Sequence, residues 1–118
     1  MSRRIQRVED QIRAQLAHLI LHEVADPRVD EMTTVTAVSV SPDLANARVM
    51  VSIYGSEEER EESLAGLRAA AGFLRSRLAS RLTQKRVPEL NFELDRGPEH
   101  SARIASILED LDHDDSST

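Results

Sequence analysis

The side chains of this sequence that could do chemistry are arginines and one lysine, gathered in segments without acidic residues. The chain has 118 residues and a formal net charge of −6, a balance that taken alone disfavours a nucleic-acid partner. Two segments oppose that balance, because residues 1–8 hold three arginines and residues 63–88 hold five arginines and a lysine. The planar guanidinium fork of arginine suits bidentate hydrogen bonds to phosphate. The cations are Arg3, Arg4, Arg7, Arg68, Arg75, Arg77, Arg81, Lys85 and Arg86.

Ideal helical winding places the cations of residues 63–88 on both sides of a leucine stripe. Arg77 and Arg81 fall on one side, whereas Arg68, Arg75 and Arg86 fall together on the other. The leucines could then anchor the helix while the guanidinium groups reach outward. The alternative is that these arginines only solvate a helix face. We predict phosphate contacts at Arg75, Arg77, Arg81, Lys85 and Arg86, a second patch at Arg3, Arg4 and Arg7, and a weaker contact at Arg28.

The sequence holds no recognisable catalytic set. Cysteine is absent, which excludes disulfides, thiolate metal sites and cysteine nucleophiles. His18 and His22 have helical i,i+4 spacing, but only Glu23 stands near them as a third ligand, and we predict a solvated surface. No phosphate-binding glycine loop is present. We therefore predict no enzyme, no cofactor, no metal and no small-molecule substrate.

The composition also limits how nucleic acid could be bound and where the chain acts. Aromatic residues make up only 3 %, which disfavours recognition of single strands by base stacking. Shape and backbone recognition of folded RNA is the interpretation that remains. No apolar run approaches the roughly 20 residues of a membrane span, and no signal peptide is evident. We expect a cytoplasmic protein.

The spacing of apolar residues predicts one α+β domain with the order α-β-β-α-kink-α-β-α. A helix is predicted from about Arg4 to Ala25, then a strand from Met32 to Ser41 with Thr34, Thr36, Val38 and Val40 on one side. A second strand over Ala45–Ile53 should pair with it antiparallel across the turn at residues 41–44. The three-stranded sheet should be covered by helices.

The second half of the chain is predicted to supply the remaining elements. Ser56 is a plausible N-cap for a helix with an acidic first turn, which should run through Leu82 with a kink near Gly72. A third strand follows at residues 90–94 and a last helix at 98–111. We expect residues 1–111 to form the domain and the acidic residues 112–118 to be a disordered tail.

Several short motifs occur in an order that resembles the ribosome-binding factor A family over roughly Arg4 to Leu111. No single motif is decisive, but their order at this chain length is specific. The motifs are Arg7-Val8, Asp26-Pro27-Arg28, Thr33-Thr34-Val35, Ser41-Pro42-Asp43-Leu44-Ala45-Asn46-Ala47, Ala70-Ala71-Gly72-Phe73-Leu74-Arg75, Val87-Pro88-Glu89-Leu90 and Arg103-Ile104.

The resemblance implies a single KH-like domain of the second type, in which an Ala-x-Gly kink at Ala70 and Gly72 replaces the usual Gly-x-x-Gly loop. It also implies a non-catalytic assembly factor that binds the free 30S small ribosomal subunit and 16S rRNA. Such factors assist late rRNA maturation, notably at the 5′ end, and matter for growth in the cold. Nothing in the sequence demands more than a monomer. The residues alone leave a second interpretation open, a protein-interaction module that contacts rRNA incidentally.

Overall fold

A long amphipathic helix begins the chain and packs against the first strand of the sheet. The computed structural model describes residues 3–29, 33–83 and 86–97, and α1 spans Arg3–His22. Its buried side chains recur at three- and four-residue spacings, as one helix face requires: they are Val8, Ile12, Leu16, Leu19 and Ile20. The prediction that this helix reaches Ala25 is wrong. The chain leaves the helix after His22 and enters a turn around Pro27, in which the Val29 N–H donates to the Asp26 carbonyl oxygen.

A mixed sheet of three strands lies beside the helices. The strands are β1 (Thr34–Val40), β2 (Asn46–Ser52) and β3 (Glu89–Leu94), in the spatial order β1-β2-β3. β1 and β2 pair antiparallel, whereas β2 and β3 pair parallel. The antiparallel prediction is confirmed. The parallel pair requires a long crossover, which the second and third helices supply.

A β-bulge in β1 overturns the predicted face of that strand. The pairing register shifts between Val35 and Ala37, so Thr36 is an extra residue without an opposite partner. Val35 consequently turns into the core together with Val38 and Val40, while Thr34 is exposed. The prediction that Thr34 and Thr36 share a side with the two valines assumed unbroken alternation and is wrong.

The central helix is divided into two, as the sequence predicted near Gly72. α2 spans Glu57–Ala69 and α3 spans Ala71–Ala79, with Ala70 between them. Ser56 caps α2 as predicted, because its hydroxyl accepts the Glu59 N–H while the Glu59 carboxylate accepts the Ser56 N–H. The acidic residues Glu57–Glu59 complement the positive end of the helix dipole.

α3 is shorter than the predicted helix through Leu82. Its last residue is Ala79, and the following N–H groups of Arg81 and Leu82 both donate to the Leu78 carbonyl oxygen in a closing turn. Arg86 therefore lies in the segment that leads into β3 and not on the helix. The predicted helix over 98–111 and the tail over 112–118 lie outside the described residues.

The helices bury one face of the sheet and leave the other face open. α1 packs on β1 and on α3, whereas α2 and α3 pack on β3. Ala47, Val49 and Val51 of β2 point into the core, while their neighbours Asn46 and Arg48 are exposed. Phe92, with 1 % of its surface exposed, is the largest buried side chain of this core. No helix in the described parts of the chain is long and apolar enough to cross a membrane.

Candidate nucleic-acid interface

A polar groove opens where α3 passes the first residues of β2 and β3. It encloses about 690 Å³, and it brings Gly72, Arg75 and Arg86 of the predicted site to one place. α3 and the segment before β3 form its walls. The complete lining is Ala45, Asn46, Gly72, Arg75, Ser76, Ala79, Arg86, Val87 and Glu89.

Gly72 leaves the wall of this groove open. A Cβ atom added to Gly72 would meet nothing within 4 Å, so glycine is not needed there for packing. The break in the helix lies two residues earlier, where the Ala70 N–H is shared between the carbonyl oxygens of Gly66, at 3.0 Å, and Leu67, at 3.1 Å. A bare backbone beside the break allows a ligand to approach closely.

Arg75 spans the groove wall and holds the segment before β3 against α3. Its Nε donates to the Pro88 carbonyl oxygen at 3.1 Å and its Nη2 donates to the Val87 carbonyl oxygen at 3.0 Å. These two hydrogen bonds fix the direction of the guanidinium group. Its positive charge remains in the groove lining, and its predicted phosphate contact stays a prediction.

Arg86 is the exposed cation of the groove. It makes no ion pair or hydrogen bond with any residue in 3–29, 33–83 or 86–97. Its charge is felt at Asp43, whose pKa lies below its usual value. Hydrogen bonds from the Ser41 hydroxyl and the Ala45 N–H lower that pKa most, and the positive charge of Arg86 adds a smaller effect. Arg86 thus acts on Asp43 only through its charge, and its guanidinium group is available to bind an anion.

Arg77 and Arg81 lie together as predicted, but they meet a carboxylate at the end of α1. Glu23 accepts from Arg81 at 2.8 Å and lies 3.5 Å from Arg77. Arg77 also stands over the Phe73 ring, 5.2 Å from its centre, in a cation–π arrangement. The pair therefore ties α1 to α3, and Glu23 offsets part of its charge.

Arg28 lies in the loop after α1 and is ion-paired with Asp26 at 2.7 Å. Hydrogen bonds from Arg28 lower the pKa of Asp26 to about 2. The loop itself docks on α2, because the buried Ser63 hydroxyl donates to the Arg28 carbonyl oxygen at 2.7 Å. Gly66 permits this approach, since a Cβ there would lie 3.0 Å from Val29 Cγ2.

The amino-terminal arginines form a separate exposed patch on the first two turns of α1. Arg3, Arg4 and Arg7 are all exposed, and none makes an ion pair with another residue of the described ranges. Lys85 lies outside the described residues. The other predicted contacts thus fall into four places: the groove, the ion pairs of Arg77 and Arg81 with Glu23, the loop after α1 and the start of α1.

Sequence reasoning missed the uncharged and acidic residues of the groove. Asn46 and Glu89 are partners in the parallel register of β2 and β3, and both line the groove. A parallel pairing across such a separation leaves no local signal in a single sequence. Ser76 lies between two arginines, and neither its type nor its spacing marks it as part of a site. The ion pairs of Glu23 with Arg77 and Arg81 depend on the contact between α1 and α3, which the spacing of residues in the sequence does not reveal.

Metal binding finds no support in the described residues. The rings of His18 and His22 lie 4.5 Å apart, and both side chains are exposed. Within the described ranges no three histidine, cysteine, aspartate or glutamate side chains are grouped closely enough to hold a metal ion.

Together the fold and the groove define the class of protein. This is an α+β fold with a mixed three-stranded sheet, in which the helical connection between β2 and β3 divides at Ala70 beside a cationic groove. It has the architecture of a KH-like domain. A sequence profile of the family described as ribosome-binding factor A matches residues 4–108. The chain belongs to the ribosome-binding factor A family, which is a family of binding factors and not of enzymes.

Individual relatives agree with this assignment. The ribosome-binding factor A of Caldanaerobacter subterraneus is 40 % identical over 111 residues, covering 94 % of this chain and 91 % of the relative. The crystal structure of ribosome-binding factor A from Thermus thermophilus superposes with a TM-score of 0.69 at 32 % identity, covering 79 % of this chain and 98 % of that one. A homology model of the Thermus thermophilus factor, fitted into a cryo-EM map of its 30S complex, matches with a TM-score of 0.54 at 33 % identity, covering 72 % of this chain and 92 % of that one.

Proposed function

We propose that this protein binds the free 30S small ribosomal subunit in the cytoplasm and assists the late maturation of 16S rRNA, including its 5′ end, without catalysis. The observation that carries the proposal is the groove in which Arg86 faces solvent without a described partner beside the open backbone of Gly72. An exposed guanidinium next to a bare backbone suits an RNA phosphate chain.

The family supports the same partner. The Thermus thermophilus factor, with 33 % sequence identity to this chain, has been fitted into a map of a 30S complex. The net charge of −6 does not oppose the proposal, because the groove gathers Arg75 and Arg86 while much of the acid lies in residues 57–62 of α2. Electrostatic attraction to RNA depends on the local field and not on the net charge alone.

Co-sedimentation with purified ribosomal particles tests the proposal. We expect the protein to pellet with free small subunits, to do so less as salt rises, and to be largely absent from assembled ribosomes. Arg86→Ala should weaken subunit binding at every salt concentration and reduce the slope of log affinity against log salt by about 1, as expected for one lost phosphate contact.

Arg13→Ala is the matched control, because Arg13 is an exposed arginine on α1 outside the predicted contacts. It should leave the slope unchanged. Equal effects of the two substitutions would show that general charge and not the groove drives binding. Absence of the protein from the subunit pellet at low salt would reject the proposal as a whole.

A second candidate function, a protein-interaction module, is favoured by one apolar feature. Phe73 and Leu21 are large apolar side chains exposed by 41 % and 61 %. Phe73 borders a cavity of about 290 Å³ between the end of α1 and the break at Ala70. If Phe73→Ser abolished subunit binding while Arg86→Ala had no effect, the contact would be with a ribosomal protein and not with RNA.

A further inference from the structure

The exposed ring of Phe73 borders an apolar cavity that the RNA groove does not include. Of the two phenylalanines in the chain, Phe92 lies in the core, whereas Phe73 is exposed. The cavity lies between the end of α1 and the break at Ala70, and it encloses about 290 Å³. A cavity of about 150 Å³ already holds a benzene-sized group. The cavity beside Phe73 therefore has room for one large side chain.

The side chains that line this cavity suit an apolar group and not a nucleotide. Two of them are the carboxylates of Glu23 and Asp26. None of the lining side chains can donate a hydrogen bond when these carboxylates are ionised. The edge of a nucleobase would find no side-chain donor there, and a phosphate would meet two negative charges. The apolar part of the lining consists of Val24, Ala25, Ala69, Ala70 and Phe73.

Arg77 brings a positive charge to the side of the cavity. Its guanidinium carbon lies 5.2 Å from the centre of the Phe73 ring, and its Nε lies 3.5 Å from the Glu23 carboxylate. The guanidinium group makes no hydrogen bond with another residue in the described parts of the chain, and 53 % of the Arg77 side chain is exposed. Its N–H groups are therefore available to an acidic side chain of a partner.

Two further arginines hold the carboxylates that line the cavity. Arg28 binds Asp26 at 2.7 Å, and Arg81 binds Glu23 at 2.8 Å. With Arg77, three cations thus stand next to two carboxylates. This local excess of positive charge favours a partner that carries acidic residues.

The cavity and the RNA groove lie on different faces of α3. The groove is lined by Gly72, Arg75 and Ser76 of this helix, whereas Phe73 is the residue of α3 that lines the cavity. The two linings have no residue in common. An occupant of the cavity therefore leaves the groove free for RNA.

We propose that the cavity beside Phe73 is a docking site for a protein segment that inserts one leucine-sized aliphatic side chain and places a neighbouring acidic side chain on Arg77 or Arg28. The inference goes beyond the proposed function, because the chain then holds RNA and a protein at the same time on two surfaces. A buried apolar anchor with charged residues around it is the usual arrangement at the centre of a protein–protein contact.

Three short peptides test both parts of the inference. The first is the acetylated nonapeptide Gly-Ser-Asp-Glu-Leu-Glu-Asp-Ser-Gly. The second has serine in place of leucine, and the third has lysine in place of all four acidic residues. Each is titrated to about 5 mM into the whole ¹⁵N-labelled protein at a fixed ionic strength, a range that detects millimolar affinity. We expect saturable shifts at the amides of residues 23–26 and 69–73 with the leucine peptide. The serine peptide should bind about tenfold more weakly, and the lysine peptide about fivefold more weakly.

Two substitutions alter the cavity in opposite ways. Phe73→Ser removes the ring that borders it, and Ala69→Leu fills it from the last turn of α2. Each should weaken binding of the leucine peptide about tenfold or more, and thermal unfolding confirms that the variants are folded. Leu21→Ser is the matched control, because Leu21 is an exposed apolar residue outside the lining. Leu21→Ser should leave the affinity unchanged, and Arg86→Ala in the groove should leave it within about twofold.

Several results would overturn the inference. Absence of saturable shifts at residues 23–26 and 69–73 would remove the docking site. Equal affinity for the leucine and serine peptides would mean that the cavity takes no side chain, and tighter binding of the lysine peptide would mean that the carboxylates select the partner. Equal effects of Phe73→Ser and Leu21→Ser would show that the ring has no specific role.

A uridylate octamer distinguishes RNA from protein as the occupant of the cavity. If it shifted the same amides as the leucine peptide, the cavity would belong to the RNA surface and the inference would be wrong. Otherwise its shifts should be confined to the groove. Co-sedimentation with subunits does not depend on the peptides, so the inference and the proposed function can fail independently.

Discussion

Asp26 and Arg28 illustrate how a short sequence motif acts through single side chains. Asp26 accepts the Arg28 N–H at 2.9 Å and pairs with the Arg28 guanidinium at 2.7 Å. The Arg28 carbonyl oxygen then accepts from Ser63 of α2. The sequence predicts a helix stop and a weak RNA contact at this motif. In the structure the Arg28 side chain orders the loop, because its charge is already matched by Asp26.

The Asp26–Arg28 pair gives a pH prediction. The folded-state pKa of Asp26 is about 2, below its usual value of 3.8, so the ionised carboxylate stabilises the fold above pH 4. This contribution is lost as the pH falls from about 4 towards 2. Asp26→Asn should lower the melting temperature at pH 6 and flatten its decline between pH 4 and pH 2, measured by circular dichroism.

Asp10→Asn serves as the control for that experiment, because Asp10 is an exposed carboxyl of α1 without an ion pair to another described residue. Its melting curve should follow the wild type over the whole pH range. If the Asp26→Asn and wild-type curves ran parallel from pH 6 to pH 2, the pair would contribute nothing to stability.

The elements show which parts of the fold a single sequence can predict. The face of α1, the cap at Ser56 and the break near Gly72 follow from spacing and residue type within one turn or two. The bulge at Thr36 could not be predicted in this way, because a bulge belongs to the pairing of two strands. The groove itself was not predicted, because it forms only where separate elements meet. Its arginines stand out in the sequence, whereas Asn46 and Glu89 meet only through the parallel register.

Two glycines of the helical crossover give opposite predictions for the same substitution. Gly72→Ala meets open space and should raise the free energy of unfolding by up to about 1 kcal/mol, because alanine favours the helix. Gly66→Ala would bring a Cβ to 3.0 Å from Val29 Cγ2 and 3.3 Å from Arg28 Cβ. The docked loop must then move, and we expect a net loss of about 1–2 kcal/mol.

Urea denaturation of both glycine variants measures these differences. Gly72→Ala should also weaken subunit binding, because the added methyl group narrows the groove. A variant that is more stable but binds less tightly would show that Gly72 serves binding and not the stability of the helix. A shift of both variants in the same direction would contradict the surroundings described for Gly66 in α2 and Gly72 in α3.

At the scale of the whole molecule one core joins every described element. Side chains of α1, of α2 and α3 and of all three strands belong to the same buried cluster. The protein should therefore unfold in a single cooperative transition. Stability rests on aliphatic packing with one large aromatic at its centre, because the sequence has no cysteine and only two phenylalanines.

Removal of that central ring tests the single core. Phe92→Ala should lower the free energy of unfolding by about 3–5 kcal/mol, a large share of the roughly 5–15 kcal/mol typical of a domain. Leu94→Ala on the same strand is the comparison, because Leu94 is only partly buried and its loss should be smaller. Urea unfolding followed by circular dichroism gives both values. Equal losses, or two separate transitions, would show that β3 is not part of a common core.

The hydrogen bonds from side chains to the outer strands have a consequence for behaviour at high concentration. An edge strand with unpaired N–H and C=O groups can pair with a strand of a neighbouring chain, which leads to aggregation. Here Arg68 donates to the Phe92 carbonyl oxygen of β3, Arg75 donates to the Pro88 carbonyl oxygen just before β3, and Glu9 accepts the Val40 N–H of β1. Each of the two edge strands therefore has a peptide group that is already bonded to an ionised side chain and cannot pair with a second backbone. The same arginines that make this part of the sequence basic also help to keep the molecules apart.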